Sequence, residues 1–310
     1  MSTVGLRISS QQYYDIVTTA LNGDQSDISN ILTQLSTGQE YTLPSQNPVA
    51  TVQLLSLTSE QDSITQYQSN IQTVTNQLSS SESYLTGMVN DIESARDLLV
   101  EAANGSNSQV DENSIAGSLA PIISSILASA NIQNSEGTYI FSGTLTNTPT
   151  ITYNAAAAVG AQYTWTGNNG TQLVNVNTGM AQPANVTLPT VANLLNALGI
   201  VQNTLSSPTV DVSNPTTNAT IEGAVNTLDS VLNDVNSTIA SIGGTQNIIG
   251  TLNSNLQDLS VANQSAADSI GQVNYAEAET SLSSYNTALE ATQKAYASVS
   301  QLSLWNDFPG

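Results

Sequence analysis

The sequence contains no cysteine and no histidine, and only three of its 310 residues are basic: Arg7, Arg96 and Lys294. Each absence removes a class of function. Without cysteine there are no disulfides, thiolate metal sites or thiol nucleophiles. Without histidine there is no Ser-His-Asp triad and little to hold zinc. A nucleic-acid binder neutralises phosphates with clustered Lys and Arg. Three dispersed cations against 24 carboxylates exclude that class, and the formal charge of −21 argues equally against an anionic membrane surface. No run approaches the roughly 18 consecutive apolar residues of a membrane span. The opening MSTVGLRISSQQYYD lacks the charged segment and apolar run of a secretory signal, so the expectation is a cytosolic chain or one exported by another route. The shortage of Lys and Arg also leaves few cleavage sites for trypsin-like proteases, which suits a protein outside the cell.

What is present is periodicity. Leu57, Ile64, Ile71, Leu78, Leu85, Ile92 and Leu99 recur every seventh residue, and the positions three further on are mostly apolar. That pattern predicts one long coiled-coil helix from about Pro48 to Ala103. A second run keeps the same period: Ile221, Leu228, Val235, Ile242, Ile249, Leu256, Asn263 and Ile270. Asn263 is a polar seam residue of the kind that fixes register, and Gly243-Gly244 marks a candidate kink. Both ends carry shorter copies, Tyr14, Leu21, Ile28 and Leu35 at one and Tyr275, Leu282, Leu289 and Tyr296 at the other. Breaks are expected at STGQEYTLPSQNP and near Gly271–Asn274, since Gly and Pro stop helices.

A seam on one face needs a partner. Folding the chain back pairs first helix with last and second with second-last, an elongated antiparallel rod with both termini at one end. Ala116–Ala130 reads as a further helix containing Pro121, and Thr138–Gly143 as a strand with a turn. ITYN, AQYTWT, TQLVNVN and ANVTL read as strands separated by the turns GNNG and TGMAQP. TVANLLNALGIVQNTL then reads as a helix returning to the rod. The fold class expected is mainly α with a small inserted β domain. The domains are 1–43 with 272–310 (terminal coiled coil), 44–144 with 190–271 (helical rod) and 145–189 (β insert).

Candidate sites for chemistry are few. Asp91 and Glu93 face differently on a helix, and Asp111 and Glu112 are expected in a polar loop. A glycosidase pairs two carboxylates across a sugar-binding cleft, and neither pair sits beside a cluster of aromatics. No catalytic, cofactor-binding or metal-binding residues are assigned. Tyr163 and Trp165 share one face of a strand and read as core. The aromatic tail EATQKAYASVSQLSLWNDFPG is greasier than a two-helix end can bury, so part of it is expected to meet other subunits.

At this point a resemblance takes hold. GLRISSQQYY, QLSTGQEYTLPSQNPVAT, the long stretch Tyr67–Gly105, ANIQNSEGTYIFSG, YTWTGNNGTQLVNV, IGGTQNIIGTLNSNL and VNYAEAETSLSSYNTALEATQKAYASVSQLSLW together resemble the flagellin-like family of the bacterial hook–filament junction protein, hook-associated protein 3. Flagellin itself usually begins with Ile-Asn-Thr-Asn and ends in a Leu-Leu-Arg type sequence. Here RIS and QLSLW favour the junction family. Three positions depart from its pattern. Gln46-Asn47 stand where Asp-Asp is common, Gln39-Glu40 where basic residues often follow, and Glu112-Asn113 where Arg often appears. Polar amide contacts would have to replace any salt bridges there.

The resemblance implies a structural adaptor, not an enzyme, without cofactors. It implies export through the flagellar type III apparatus and an extracellular place in the flagellum. It implies assembly as a ring with copies of itself, between the hook-side junction protein (hook-associated protein 1) and flagellin. A cytosolic chaperone would bind before export, and neither nucleic acid nor membrane is a partner. The assembly contacts expected are Tyr14, Leu21, Ile28, Leu35, Leu282, Leu289, Tyr296, Leu302 and Trp305, with Pro44, Ser45, Gln46, Asn47 and Pro48 as the interdomain joint. The alternatives are a flagellin filament subunit and a secreted glycan-binding or hydrolase module on a helical stalk.

Overall fold

The computed structural model describes residues 3–306, with side chains described for residues 12–298. Among the described residues the helices are α1 (Thr3–Thr37), α2 (Pro48–Ala102), α3 (Gln109–Ala130), α4 (Val191–Leu205), α5 (Pro215–Gly271) and α6 (Tyr275–Asn306). The strands are β1 (Ile151–Tyr153), β2 (Tyr163–Trp165), β3 (Leu173–Asn177) and β4 (Met180–Pro183). The protein is mainly α, as its periodicity predicts.

The two longest helices start in the same way. Asn47 and Asn214 each precede a proline, and each side-chain oxygen accepts a first-turn amide, Ala50 N at 3.1 Å and Thr216 N at 2.9 Å. The asparagine satisfies an orphan donor, while proline at the next position has no amide to satisfy and a φ already suited to the helix. This cap starts α5 at Pro215, ahead of its first seam residue, Ile221. Helix α5 continues as one helix through Gly243-Gly244.

The chain forms two compact units, one of Met1–Ser63 with Asp258–Gly310, the other of Ile64–Gln257. Both boundaries fall inside α2 and α5 rather than in loops.

In the second unit the heptad seams are spent on one core. Leu78, Leu85, Ile92 and Leu99 of α2 are essentially inaccessible, as are Ile221, Leu228, Val235 and Ile249 of α5. Each such side chain contributes about 1.5–3 kcal/mol by leaving water. Late residues of α2 meet early residues of α5, as in the Arg96–Asp229 ion pair at 2.7 Å, and Glu82 meets Gln246 at 3.1 Å, so the helices run antiparallel. Helix α4 adds Leu194, Leu195, Leu198 and Val201 to the same core and packs on α3 and β2.

Four local expectations change. Helix α3 begins at Gln109, not Ala116, because Ser108 and Asp111 form a reciprocal capping box, with Ser108 N donating to Asp111 Oδ2 at 2.9 Å. Asp111 and Glu112 therefore lie in a helical first turn instead of a polar loop. Pro121 neither breaks nor delays α3. It is exposed, as is Gly117 four residues earlier, so the carbonyl that loses its partner faces water. Thr138–Gly143 forms no strand, since Gly137 and Gly143 both adopt positive φ (77° and 75°) and keep turning the chain. Finally, Gly179 (φ 71°) closes a tight turn after β3, so the chain pairs back at once as Met180–Pro183. The segment Ala184–Leu188, expected to be the strand, instead buries Ala184 and Leu188 in the core.

Helix α3 is long and apolar enough by length and composition to cross a membrane, although it holds no unbroken apolar run of that length. Its apolar side packs into the core through Ile115, Leu119, Ile123 and Ile126.

Candidate assembly surface and joint

The first unit pairs the two ends of the chain. Helix α1 packs on α6, and among the described side chains the apolar cluster between them is thin: Ile31, Val273 and Ala278 are buried, with Leu35, Leu282 and Tyr285 half-covered around them. Further along, the Tyr14 ring meets the Tyr296 ring edge to face, with centroids 5.5 Å apart and planes at 73°. Such a pair contributes about 0.5–1.5 kcal/mol beyond the area it buries. Of the expected assembly residues, Tyr14, Leu21, Ile28, Leu35, Leu282 and Leu289 are half-buried and Tyr296 is exposed. The side chains of Leu302 and Trp305 lie outside the described residues, as does the rest of the aromatic tail beyond Asn306.

Among the described side chains of α1 the best buried are Val17 and Ile31, which are not among the expected assembly residues. They occupy one heptad position fourteen residues apart, and the residue between them at that position is Asp24. The aspartate interrupts the apolar repeat, so the second half of the seam escapes a search for sevens.

The joint between α1 and α2 is built from neutral groups. The chain leaves α1 through Gly38 at φ 72°, where a side chain would be strained and would approach the Tyr275 hydroxyl at 3.2 Å. The following residues then pair with the other joint: Glu40 N donates to Gly271 O at 2.7 Å, and Val273 N donates to Gly38 O at 3.0 Å. Gln34 Nε2 donates to Glu40 O at 2.6 Å. Pro44, Ser45 and Gln46 form the turn before α2, and Gln46 Oε1 accepts from the amides of Thr42 (2.8 Å) and Leu43 (3.0 Å). Asn47 caps α2 and Pro48 is its first residue. Gln46 and Asn47 thus make local amide contacts where the resembled family often has aspartates. Gly38, Gln34 and Glu40 also hold the joint and lie outside the expected Pro44–Pro48 segment.

Beside the joint, Val49, Val52 and Leu55 are each about two-thirds exposed (69%, 66% and 64%) and recur every third residue along the first two turns of α2. Ile16 and Leu32 of α1 are also exposed. Apolar residues scattered singly over a surface are ordinary, whereas runs along one helix mark interaction faces.

The other candidate features resolve into structure. Asn263, buried on the seam, donates to Leu57 O at 2.9 Å, and its neighbour Ser260 accepts from Gln61 Nε2 at 2.8 Å. Tyr163 stacks at a tilt on Tyr153, 5.0 Å between centroids, and packs with Trp165 against the core. Asp91 accepts from the Ser125 hydroxyl at 2.7 Å. Among the described residues no group of three or more His, Cys, Asp or Glu side chains is placed to hold a metal ion.

Paired terminal helices, two long capped helices and a small β-containing middle make a mainly helical fold. The family of the bacterial flagellin N-terminal helical region matches residues 8–146. The chain is also similar to flagellar hook-associated protein 3 of Salmonella typhimurium, with 32% identity over 138 residues, which is 44% of each chain. The chain thus spans under half the length of this curated relative. A Vibrio parahaemolyticus protein assigned as flagellar hook-associated is 27% identical, with a TM-score of 0.67 over 73% of this chain and all of the other. The flagellar junction protein of Legionella pneumophila, 16% identical, shares the fold with a TM-score of 0.57, over 70% of this chain and 100% of that one.

Proposed function

We propose that this chain is a structural adaptor of the bacterial flagellum, at the junction between hook and filament, and that it acts by assembly rather than catalysis. The observation that carries the reading is the sequence similarity to hook-associated protein 3. The thin seam of the first unit adds a physical reason. Among the described side chains, α1 leaves Ile16 and Leu32 exposed and available to neighbours.

In this reading copies of the chain form a ring between hook-associated protein 1 and flagellin. Tyr14, Leu21, Ile28, Leu35, Leu282, Leu289, Tyr296, Leu302 and Trp305 make the assembly contacts. The chain divides into a terminal domain (1–43 with 272–310), a helical domain (44–144 with 190–271) and an outward-facing insert (145–189). It leaves the cell through the flagellar export apparatus after release from a chaperone.

Deleting the gene tests this. Cells lacking the protein are expected to secrete flagellin monomers and to carry hooks without filaments. Attached filaments in the deletion strain would overturn the proposal. The flagellin N-terminal match also suits a filament subunit. Polymerisation of the purified protein alone into long filaments would decide for that reading.

A further inference from the structure

Glu112 lies in the first turn of α3 with 1% of its surface exposed. Neither of its carboxyl oxygens has a hydrogen-bond partner. The usual remedies for a buried carboxylate are missing. Helix N-termini favour negative charge, but here Asp111 takes that role through Ser108. The Asn107 amide, the polar side chain at hand, donates to the Glu101 carbonyl at 2.8 Å. The only cation within Ile64–Gln257 is Arg96, and it is held by Asp229 at 2.7 Å.

The charged groups around Glu112 are all acidic. On α3 the neighbour is Asp111, and from the end of α2 it is Glu101. The turn between them, residues 103–108, carries no titratable side chain, and neither does α4, which packs on α3. The loop at residues 206–214, which receives a hydrogen bond from Gln109 to Pro208 O, brings only Asp211, committed to Ser213. From α5, Glu222 lies beside Val100 and Ala103. A carboxyl group in such a place is cheaper neutral than charged. Burial is the largest cause and raises its pKa; the nearby Asn107 amide opposes this without reaching hydrogen-bond geometry to either oxygen, and Asp111 and Glu101 push it further up.

We propose that the α2–α3 turn is an acid-favoured clasp, closed while Glu112 is a neutral acid and loosened when Glu112 ionises, so that the second unit gains stability as the medium is acidified. Most proteins behave in the opposite way, because they lose paired carboxylates on acidification. The sign follows from the raised value. Below the ordinary Glu pKa of about 4.3, Glu112 is neutral both folded and unfolded, and the clasp is at full strength. As pH climbs from there through the raised folded value, the unfolded chain binds fewer protons than the folded one, and stability falls. Asp111 and Asp211 act in a different window. Serine hydrogen bonds lower both, so their contribution is lost only as pH drops below the ordinary Asp range.

Thermal unfolding of the full chain and of Glu112→Gln, followed by circular dichroism from pH 4 to pH 8, tests the clasp. The neutral isostere is expected to raise Tm by about 2–4 °C at pH 8, to match the parent at pH 4, and to flatten the parent's fall in Tm between them. An unchanged pH slope, or an equal loss of Tm at every pH, would overturn the proposal. Should the variant fold poorly, carboxyl-carbon NMR titration of Glu112 in the unmodified protein gives the answer directly. A midpoint above about 4.3 supports the clasp, and one at or below it refutes it.

Discussion

The two units of this chain use the same device, an antiparallel pair of heptad helices, with very different amounts of apolar material. In Ile64–Gln257 the seams of α2 and α5 close on a third and fourth helix, and the side chains at their centre are inaccessible. In the unit made by the chain ends, the buried cluster between α1 and α6 is, among the described side chains, Ile31, Val273 and Ala278. Two helices alone can bury only the sides they turn toward each other. The lesson is that periodicity measures the wish to pack, while the number of layers available decides how much of that wish is met. The second unit closes its seams on its own helices; among the described side chains of the first, Ile16, Leu32, Val49, Val52 and Leu55 stay exposed.

Truncating a seam leucine in each unit puts the comparison under most strain. Leu85 is fully buried, so Leu85→Ala is expected to destabilise the second unit by about 2–5 kcal/mol through lost burial and a residual cavity. Leu282 is half-buried in a cluster that can collapse, and Leu282→Ala is expected to cost under about 1 kcal/mol in the isolated chain. Denaturant unfolding monitored by circular dichroism measures both. If Leu282→Ala proved as costly as Leu85→Ala, the first unit would have a core as complete as the second.

The next effect concerns the joint that ties the chain ends. Gly38→Ala places a side chain at φ 72° and toward the Tyr275 hydroxyl. The expected cost is about 1–2 kcal/mol, confined to the first unit. The amides of Glu40 and Val273, which donate across the joint, should then exchange with solvent about 5–30 times faster. Unchanged exchange at those two amides would mean that the strand-like pairing of the joints is held by something other than the glycine turn.

Much of this arrangement is legible in the residues because seven-residue repeats of aliphatics have few other solutions. The extents of α2 and α4 and the start of α6 follow from Pro48, from TVANLLNALGIVQNTL and from the Gly271–Asn274 break. What escaped has three physical causes. A capped helix begins with polar residues, so the first turn of α3 after Ser108 looks like a loop until its reciprocal hydrogen bonds are seen. A polar residue on a seam hides its neighbours, as Asp24 hides Val17 and Ile31. And short strands are chosen by the turn that precedes them, so Gly179 selects Met180–Pro183 over the more strand-like Ala184–Leu188. Of the joint, the Pro44–Pro48 turn is visible from its prolines. The partners of Gly38 and Glu40 are not, since they lie more than two hundred residues away, at Val273 and Gly271.

The smallest expected effect is also the cleanest test of whether the two units stand apart energetically, because it makes one chemical change in both. Asn47 and Asn214 play the same part at the start of α2 and α5, each ahead of a proline. Replacing an N-cap asparagine by alanine costs about 1 kcal/mol. Asn214 belongs to the unit with the full core, where losing a cap weakens a cooperative structure, so Asn214→Ala should lower the main melting transition by about 2–4 °C. Asn47 belongs to the unit with the thin cluster, where the same loss should appear as local fraying. Asn47→Ala should leave the main transition in place and speed exchange of the Ala50 and Thr51 amides. Equal shifts in Tm for the two variants would break the comparison. The first turn of α2 would then melt with the second unit's core, and the thin seam of the chain ends would not mark a separate, weaker element.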